Sequence, residues 1–206
     1  MTYLKEAFYP KSLEHAKDIC LTPDGRVPQK FTKETMFLLD FLLNENLANN
    51  YSKVADFGCG VGRMSKALIQ RLGCPVTGFD ISEPMLGWAN EFVLSRIFTP
   101  VVYSKGFVPT EDMKYDLVMA LFVLQHSEHP IQDIEFIHSI LNKGGKFVLM
   151  NEEKRFVPSG IDETRNIIWN DDGINIEEEV SKKFKFIGRY DYINRYDKKL
   201  TVWEKE

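Results

Sequence analysis

Residues 54–68 read VADFGCGVGRMSKAL. Two apolar residues lead to an acid, Asp56, and three glycines follow at alternate positions, Gly58, Gly60 and Gly62. After them Met64, Leu68 and Leu72 recur at helical spacing, with Gly73 as the stop. Glycine tolerates positive φ and lacks a Cβ, so a strand ending in such a run brings its backbone close to something. The helix that follows offers free N–H groups at its start.

Twenty-two residues after Gly58, the strand PVTGFD ends on Asp80. A carboxylate at that strand tip can accept both hydroxyl protons of a ribose. Together these features predict a nucleoside site. The glycine spacing is GxGxG, whereas the pyrophosphate fingerprint places its third glycine one step later. Asp56 beside the loop would also repel a pyrophosphate. Both features fit S-adenosylmethionine (SAM), which has an adenosine, a sulfonium and an ammonium but no phosphate, better than NAD.

Outward from the loop, strand and helix patterns alternate. TKETMFLLDFLLNENLA places Met36, Leu39, Leu43 and Leu47 on one helical face, with Thr32 as N-cap. Ser82 and Pro84 open a helix that reaches about Ser95, and PVVYSKG is a weaker strand. YDLVMALFVL is continuous and apolar, as in a central parallel strand. IQDIEFIHSIL repeats Ile131, Ile134, Ile137 and Leu141, and Gly144 and Gly145 end that helix before KFVLMN. KFKFIGRYDYI and KKLTVWEK alternate as an antiparallel pair, with NRYD as the turn. The expected fold is α/β, a Rossmann-like, doubly wound, seven-stranded and mostly parallel sheet with a C-terminal antiparallel hairpin. Ligands of such sheets sit beyond the carboxyl ends of the strands, where the strand order reverses. Residues 1–31, broken by Pro10, Pro23, Gly25 and Pro28, read as an N-terminal lid, and residues 32–206 as the main domain.

The chain has 206 residues, a net charge of −4 and 44% hydrophobic residues, enough for one ordinary domain with a real core. The acidic balance makes nucleic acid a disfavoured partner, although Lys182, Lys183, Lys185 and Arg189 form a local basic patch. Three cysteines without paired spacing predict a reducing, cytoplasmic setting and no disulfide framework. No metal-ligand pattern occurs, so no metal is expected. The longest apolar run is too short for a membrane span, and the N-terminus lacks a signal-peptide pattern.

In order and spacing, this set resembles the class I SAM-dependent methyltransferases over Lys53 to Asn151. VADFGCGVG resembles their first motif, VTGFDIS with EPML the second, YDLVMALFVLQH the fourth-strand motif and LNKGGKFVLMNE the turn and strand that follow. The ending VLQH resembles that of small-molecule methyltransferases. The resemblance implies that Gly58, Gly60 and Gly62 let the backbone pass beside SAM, and that Asp56 holds its ammonium side. It further implies that Asp80 binds the ribose, that Ile81 lies on the adenine face, and that Ala120 and Leu121 offer carbonyls to the methionine ammonium. The product would be S-adenosylhomocysteine (SAH). Relatives often carry an acid after the third strand for adenine. Here no acid follows that strand directly, and Tyr103, Ser104 or a backbone carbonyl would substitute.

Transfer from a sulfonium is an in-line displacement, so a base is optional. His126 is the candidate base, with a structural, cap-like role as its alternative. Glu152, or its neighbour Glu153, is a second candidate, as base or as partner of a cationic substrate. Gln125 would orient the acceptor; His129 and His138 read as peripheral. The irregular stretch Glu153–Gly173, with Trp169, and the aromatic residues Tyr3, Phe8 and Tyr9 would form acceptor pocket and cover. The expected partner is a small-molecule methyl acceptor, O or N, on a monomer or homodimer. Rival readings are an NAD-dependent oxidoreductase, a non-catalytic binding protein with this fold, and a protein or RNA methyltransferase.

Overall fold

The computed structural model describes residues 2–20, 27–192 and 195–206. A 3-10 turn at Lys5–Phe8 and helix α1 (Leu13–Ile19) lead to α2 (Val27–Asn44). There follow β1 (Val54–Phe57), α3 (Arg63–Leu72), β2 (Val76–Asp80), α4 (Glu83–Val93) and β3 (Phe98–Val102). Next come β4 (Tyr115–Leu121), α5 (Pro130–Ile140) and β5 (Leu141–Asn151). The last third holds β6 (Val157–Ile161), β7 (Ile167–Asn170), α6 (Ile176–Ser181), β8 (Lys185–Tyr192) and β9 (Arg195–Glu204).

Seven strands form one sheet in the order β3-β2-β1-β4-β5-β9-β8, parallel through β5 and antiparallel at β9 and β8. The expected fold class is therefore the observed one. The order reverses between β1 and β4, which pair Phe57 with Ala120 at their carboxyl ends. That reversal opens the crevice in which a ligand can sit.

Helices cover both faces. Leu117 and Met119 of β4 pack with Leu38 and Leu42 of α2 and Leu68 of α3. Val118 and Ala120 point the other way, toward Ile134, Ile137 and Ile140 of α5 and Val180 of α6. The period-2 alternation of a strand thus feeds two cores, which is why the sequence of β4 is apolar throughout. Each such buried aliphatic side chain contributes roughly 1.5–3 kcal/mol.

Several boundaries differ from expectation. Helix α2 begins at Val27 rather than Thr32, and its core face carries Leu38, Leu39 and Leu42, while Met36 is 49% exposed. Ile131 of α5 is likewise 44% exposed. Gly144 and Gly145 do not end α5. The helix stops at Ile140, and Leu141 already pairs with Tyr115; the glycines lie in the bulge before Lys146 meets Leu117. Gly144, at φ 76, and Gly145 exchange backbone hydrogen bonds with Lys205, so they serve the sheet. The stretch read as irregular forms the two-stranded sheet β6–β7, and α6 follows it. Pro23 and Gly25, read as breakers, and Asn194 of the turn lie outside the described residues. Among the described residues, no helix is long and apolar enough to cross a membrane, and no cluster could hold a metal ion.

Candidate active site

A cavity of about 470 Å³ opens at the carboxyl ends of β1, β2, β4 and β5. That lies in the range of roughly 300–1,000 Å³ that small-ligand pockets occupy. Gly58 and Gly60 line it on one side, together with Asp56, Asp80 and Ile81. Leu121, Gln125, His126 and Glu152 line it further along the sheet. Tyr9 contributes from the N-terminal segment.

The three glycines all sit at positive φ, but for different partners. A Cβ on Gly58 would come 2.1 Å from Val123 Cγ2, and one on Gly60 would come 2.4 Å from Cys20 Sγ. A Cβ on Gly62, the N-cap of α3, would meet Val93 Cγ2 at 2.5 Å. Gly62 does not line the cavity; it lets α3 approach α4. The close neighbours of the loop are thus side chains of this chain.

Asp80, at the tip of β2, accepts hydrogen bonds from the N–H groups of Gly60 and Ser82, both at 2.9 Å. Burial pushes its carboxyl up to about 6, against the pull of those N–H groups. The helix behind it starts cleanly, because Ser82 Oγ accepts from Met85 N at 3.2 Å. Asp56 is 4% exposed and accepts from Ser65 Oγ at 2.7 Å. Burial raises its pKa too, with the Ser65 bond and the nearby Arg63 guanidinium opposing. Ile81 is half-buried against the second core. Ala120 is fully buried in that core and does not line the cavity, whereas Leu121 does.

Past the end of β4, four groups are tied together. The Glu152 N–H donates to Gln125 Oε1 at 2.6 Å, which fixes the amide so that its Nε2 faces His126 Nε2 at 3.2 Å. An amide N–H is a donor only, so the imidazole accepts there, and its proton resides on Nδ1. Nδ1 donates to the Phe156 carbonyl at 2.7 Å. Burial pushes the imidazole pKa down, with the Phe156 bond opposing, so the ring is neutral near pH 7. The Phe156 N–H returns a bond to the Gln125 carbonyl at 2.8 Å.

Other features had no clear signal in the sequence. Phe122, just after β4, lines the cavity at φ 60, a left-handed conformation that costs about 1–3 kcal/mol for a side chain of this kind. Arg155, 2% exposed, donates to the carbonyls of Leu124 and Ser127 and to Asp172, anchoring the segment before β6 beneath the site. Asp133 of α5 accepts from Tyr103 Oη at 2.8 Å and from Ser127 Oγ, and also lines the cavity. His129, read as peripheral, lines it as well; Glu153 does not. Trp169 of β7 stands outside the cavity lining, 42% exposed, with its ring 5.5 Å from His126 and 6.3 Å from Phe8. The N-terminal segment crosses the opening. Its Leu4 N–H donates to Pro158 O at 2.9 Å, Ser82 Oγ donates to Phe8 O at 2.8 Å, and Cys20 Sγ accepts from Val61 N at 3.5 Å. All three cysteines are free.

A methyltransferase domain family matches residues 13–192. The chain is 33% identical over 103 residues to a ubiquinone biosynthesis O-methyltransferase of Pseudomonas aeruginosa, a match covering 47% of this chain and 43% of that protein. It is 31% identical over 96 residues to a tRNA U34 carboxymethyltransferase of Campylobacter fetus, covering 45% and 34%. The chain thus spans less than half the length of these curated relatives. Its fold is similar to that of the N-methyltransferase NodS of Bradyrhizobium japonicum, solved with SAH, at a TM-score of 0.63 and 16% identity over 97% of this chain and 98% of that one. With the family match spanning most of its length and the sheet order agreeing, the chain belongs to the class I SAM-dependent methyltransferases.

Proposed function

We propose that this chain transfers a methyl group from SAM to an oxygen or nitrogen atom of a small-molecule acceptor. The observation that carries the reading is the shape of the cavity. Asp80 at the tip of β2 and Glu152 after β5 both line it, on strands three spacings apart, or about 14 Å. That length accommodates an adenosine at one end and an acceptor at the other.

The residues present fit the cofactor. When bound, SAM supplies a methyl already activated by a positive sulfur. Asp80, in its ionised form, holds the ribose hydroxyls. Gly58 and Gly60 let the loop backbone run along the cavity wall. Asp56 serves the ammonium end through its buried carboxylate, and the Leu121 carbonyl, rather than that of Ala120, reaches the same side. Ile81 supplies an apolar face for adenine. Asp133, bonded to Tyr103 just past the end of β3, provides the carboxylate that does not follow that strand directly. The chain's remaining task is to align the acceptor and keep water out. The N-terminal segment, with Tyr3, Phe8 and Tyr9, acts as the lid that does so, and the β6–β7 hairpin is its seat.

An RNA acceptor has one argument, the likeness to the tRNA enzyme. The basic patch gives it little support. Lys182, Lys183, Lys185 and Arg189 are paired with Glu179, Glu135, Glu206 and Glu177, which leaves little positive charge to attract phosphates. The deciding experiment supplies methyl-labelled SAM with a small-molecule extract and, separately, with tRNA. Label recovered in the small-molecule fraction alone is expected. Salt-sensitive labelling of tRNA would contradict the acceptor class.

A further inference from the structure

Methylation at oxygen and methylation at nitrogen make opposite electrostatic demands. A phenol or alcohol must lose its proton to attack well, and the attack of an oxyanion on a sulfonium annihilates charge. Such a reaction is served by a base with a free lone pair and by positive surroundings that gather the anion. A neutral amine attacks with its own lone pair, and positive charge moves from sulfur to nitrogen. Negative and aromatic surroundings favour that movement throughout.

The imidazole of His126 lines the cavity beside Gln125 and Glu152, where the acceptor end is proposed to lie. Its Nε2 lone pair receives the Gln125 amide, and its Nδ1 proton is held by the Phe156 carbonyl. Neither nitrogen is left to take a proton from an acceptor. The charges facing the ring are Glu152, after β5, and Arg155, whose guanidinium is spent on Asp172 and two carbonyls. A carboxylate is roughly six units too weak a base for a phenol.

The rest of the wall points the same way. Among the described residues, seven Asp or Glu and four Lys or Arg line the cavity. The aromatic rings of Phe8, Tyr9 and Phe122 line it too, and Phe8 lies 5.7 Å from His126. Three of those acids, Asp56, Asp80 and Asp133, belong to the cofactor end, and the other four match the basic groups, so no positive surplus gathers an oxyanion, while a nitrogen that becomes cationic is stabilised by Glu152 and the ring faces.

From this we infer that the methyl acceptor is a primary or secondary amine, received between Glu152 and the aromatic rings, and that His126 is a positioning residue. The inference rests on the reading of this cavity as a SAM-dependent methyl-transfer site. The acceptor reacts as the neutral amine, its ammonium proton given to water beforehand; the nitrogen attacks the methyl carbon, and the N–C bond forms as the C–S bond breaks. The C–S electron pair stays on sulfur, giving SAH. The product is an N-methylammonium, whose proton passes to water after release. His126 holds Phe156, and with it the start of the β6 segment, against the end of β4.

Two measurements on the SAH-loaded protein test this. Nitrogen NMR of the histidine rings is expected to show His126 as the neutral tautomer protonated at Nδ1. Ligand-observed titration then compares benzylamine and glycine ethyl ester with phenol, catechol and benzyl alcohol. The amines are expected to bind at least tenfold more tightly than the oxygen compounds, and Glu152→Gln to remove most of that preference. With SAM in place, label is expected on the amines, and the pH dependence in His126→Asn, which keeps a donor for the Phe156 carbonyl, is expected to keep the shape seen with histidine. Oxygen compounds binding as tightly as the amines, label on the oxygen compounds or on neither class, or an Nε2-protonated His126 overturns the amine assignment. Failure of SAH itself to bind overturns the underlying methyl-transfer reading instead.

Discussion

Asp80 accepts hydrogen bonds from Gly60 and Ser82, and burial still holds its carboxyl near 6. In the proposed site ribose hydroxyls would donate to the ionised form, so cofactor binding would require the proton to leave. The sign follows directly. Affinity is at its plateau above about pH 7 and falls roughly tenfold per unit below 6, because the protonated carboxyl must first ionise. SAH titrated between pH 5 and 8 is expected to show this fall, and Asp80→Asn is expected to bind weakly at every pH with no slope. A flat profile in the native protein would contradict the assignment. The spacing of Asp80 from the glycines made this carboxylate legible from sequence. The partners of the glycines were not legible. Nothing in VADFGCGVG says that Gly60 leaves room for a thiol 40 residues upstream, or that Gly62 makes room for Val93. Those are contacts between distant segments, and local spacing carries no record of them.

Elements with a clear period or a flanking turn signal were readable, and short strands without either were not. α3 runs from Arg63 to Leu72, as its spacing and the Gly73 stop require, and Ser82 caps α4. β6 and β7 have five and four residues with a register shift between them, and Gly160 interrupts the alternation. Such strands exist through their pairing, a tertiary fact that overrides weak local preference. The N-terminal segment is similar. Its Leu4, Phe8 and Cys20 find partners on β6, α4's cap and the glycine loop, which are far away in sequence. Removing residues 1–9 deletes Tyr3, Phe8 and Tyr9 but leaves α1, whose Ala16 packs on Val61 and Met85. The truncated protein is expected to fold and to release SAH at least tenfold faster in stopped-flow dilution. An unchanged release rate would mean that the segment is no lid.

At the scale of the molecule, alternating strand and helix patterns with a final alternating pair specify a doubly wound sheet, because parallel neighbours need crossovers and a hairpin does not. The order reversal between β1 and β4 then places the glycine loop, Asp80 and the Gln125–His126–Glu152 group around one crevice. The residues of the proposed adenosine half stand out in the sequence because they lie on two consecutive strand–loop units. The acceptor half was only partly so, since it is assembled from the N-terminus, β4, β5 and the segment that Arg155 anchors. The most direct test of the whole is calorimetric titration of the protein with SAM, SAH and NAD, in parallel with Asp80→Ala. The account predicts saturable binding of SAM and SAH, no heat with NAD, and loss of binding in the variant. Binding of NAD, or SAM binding indifferent to Asp80, would contradict it.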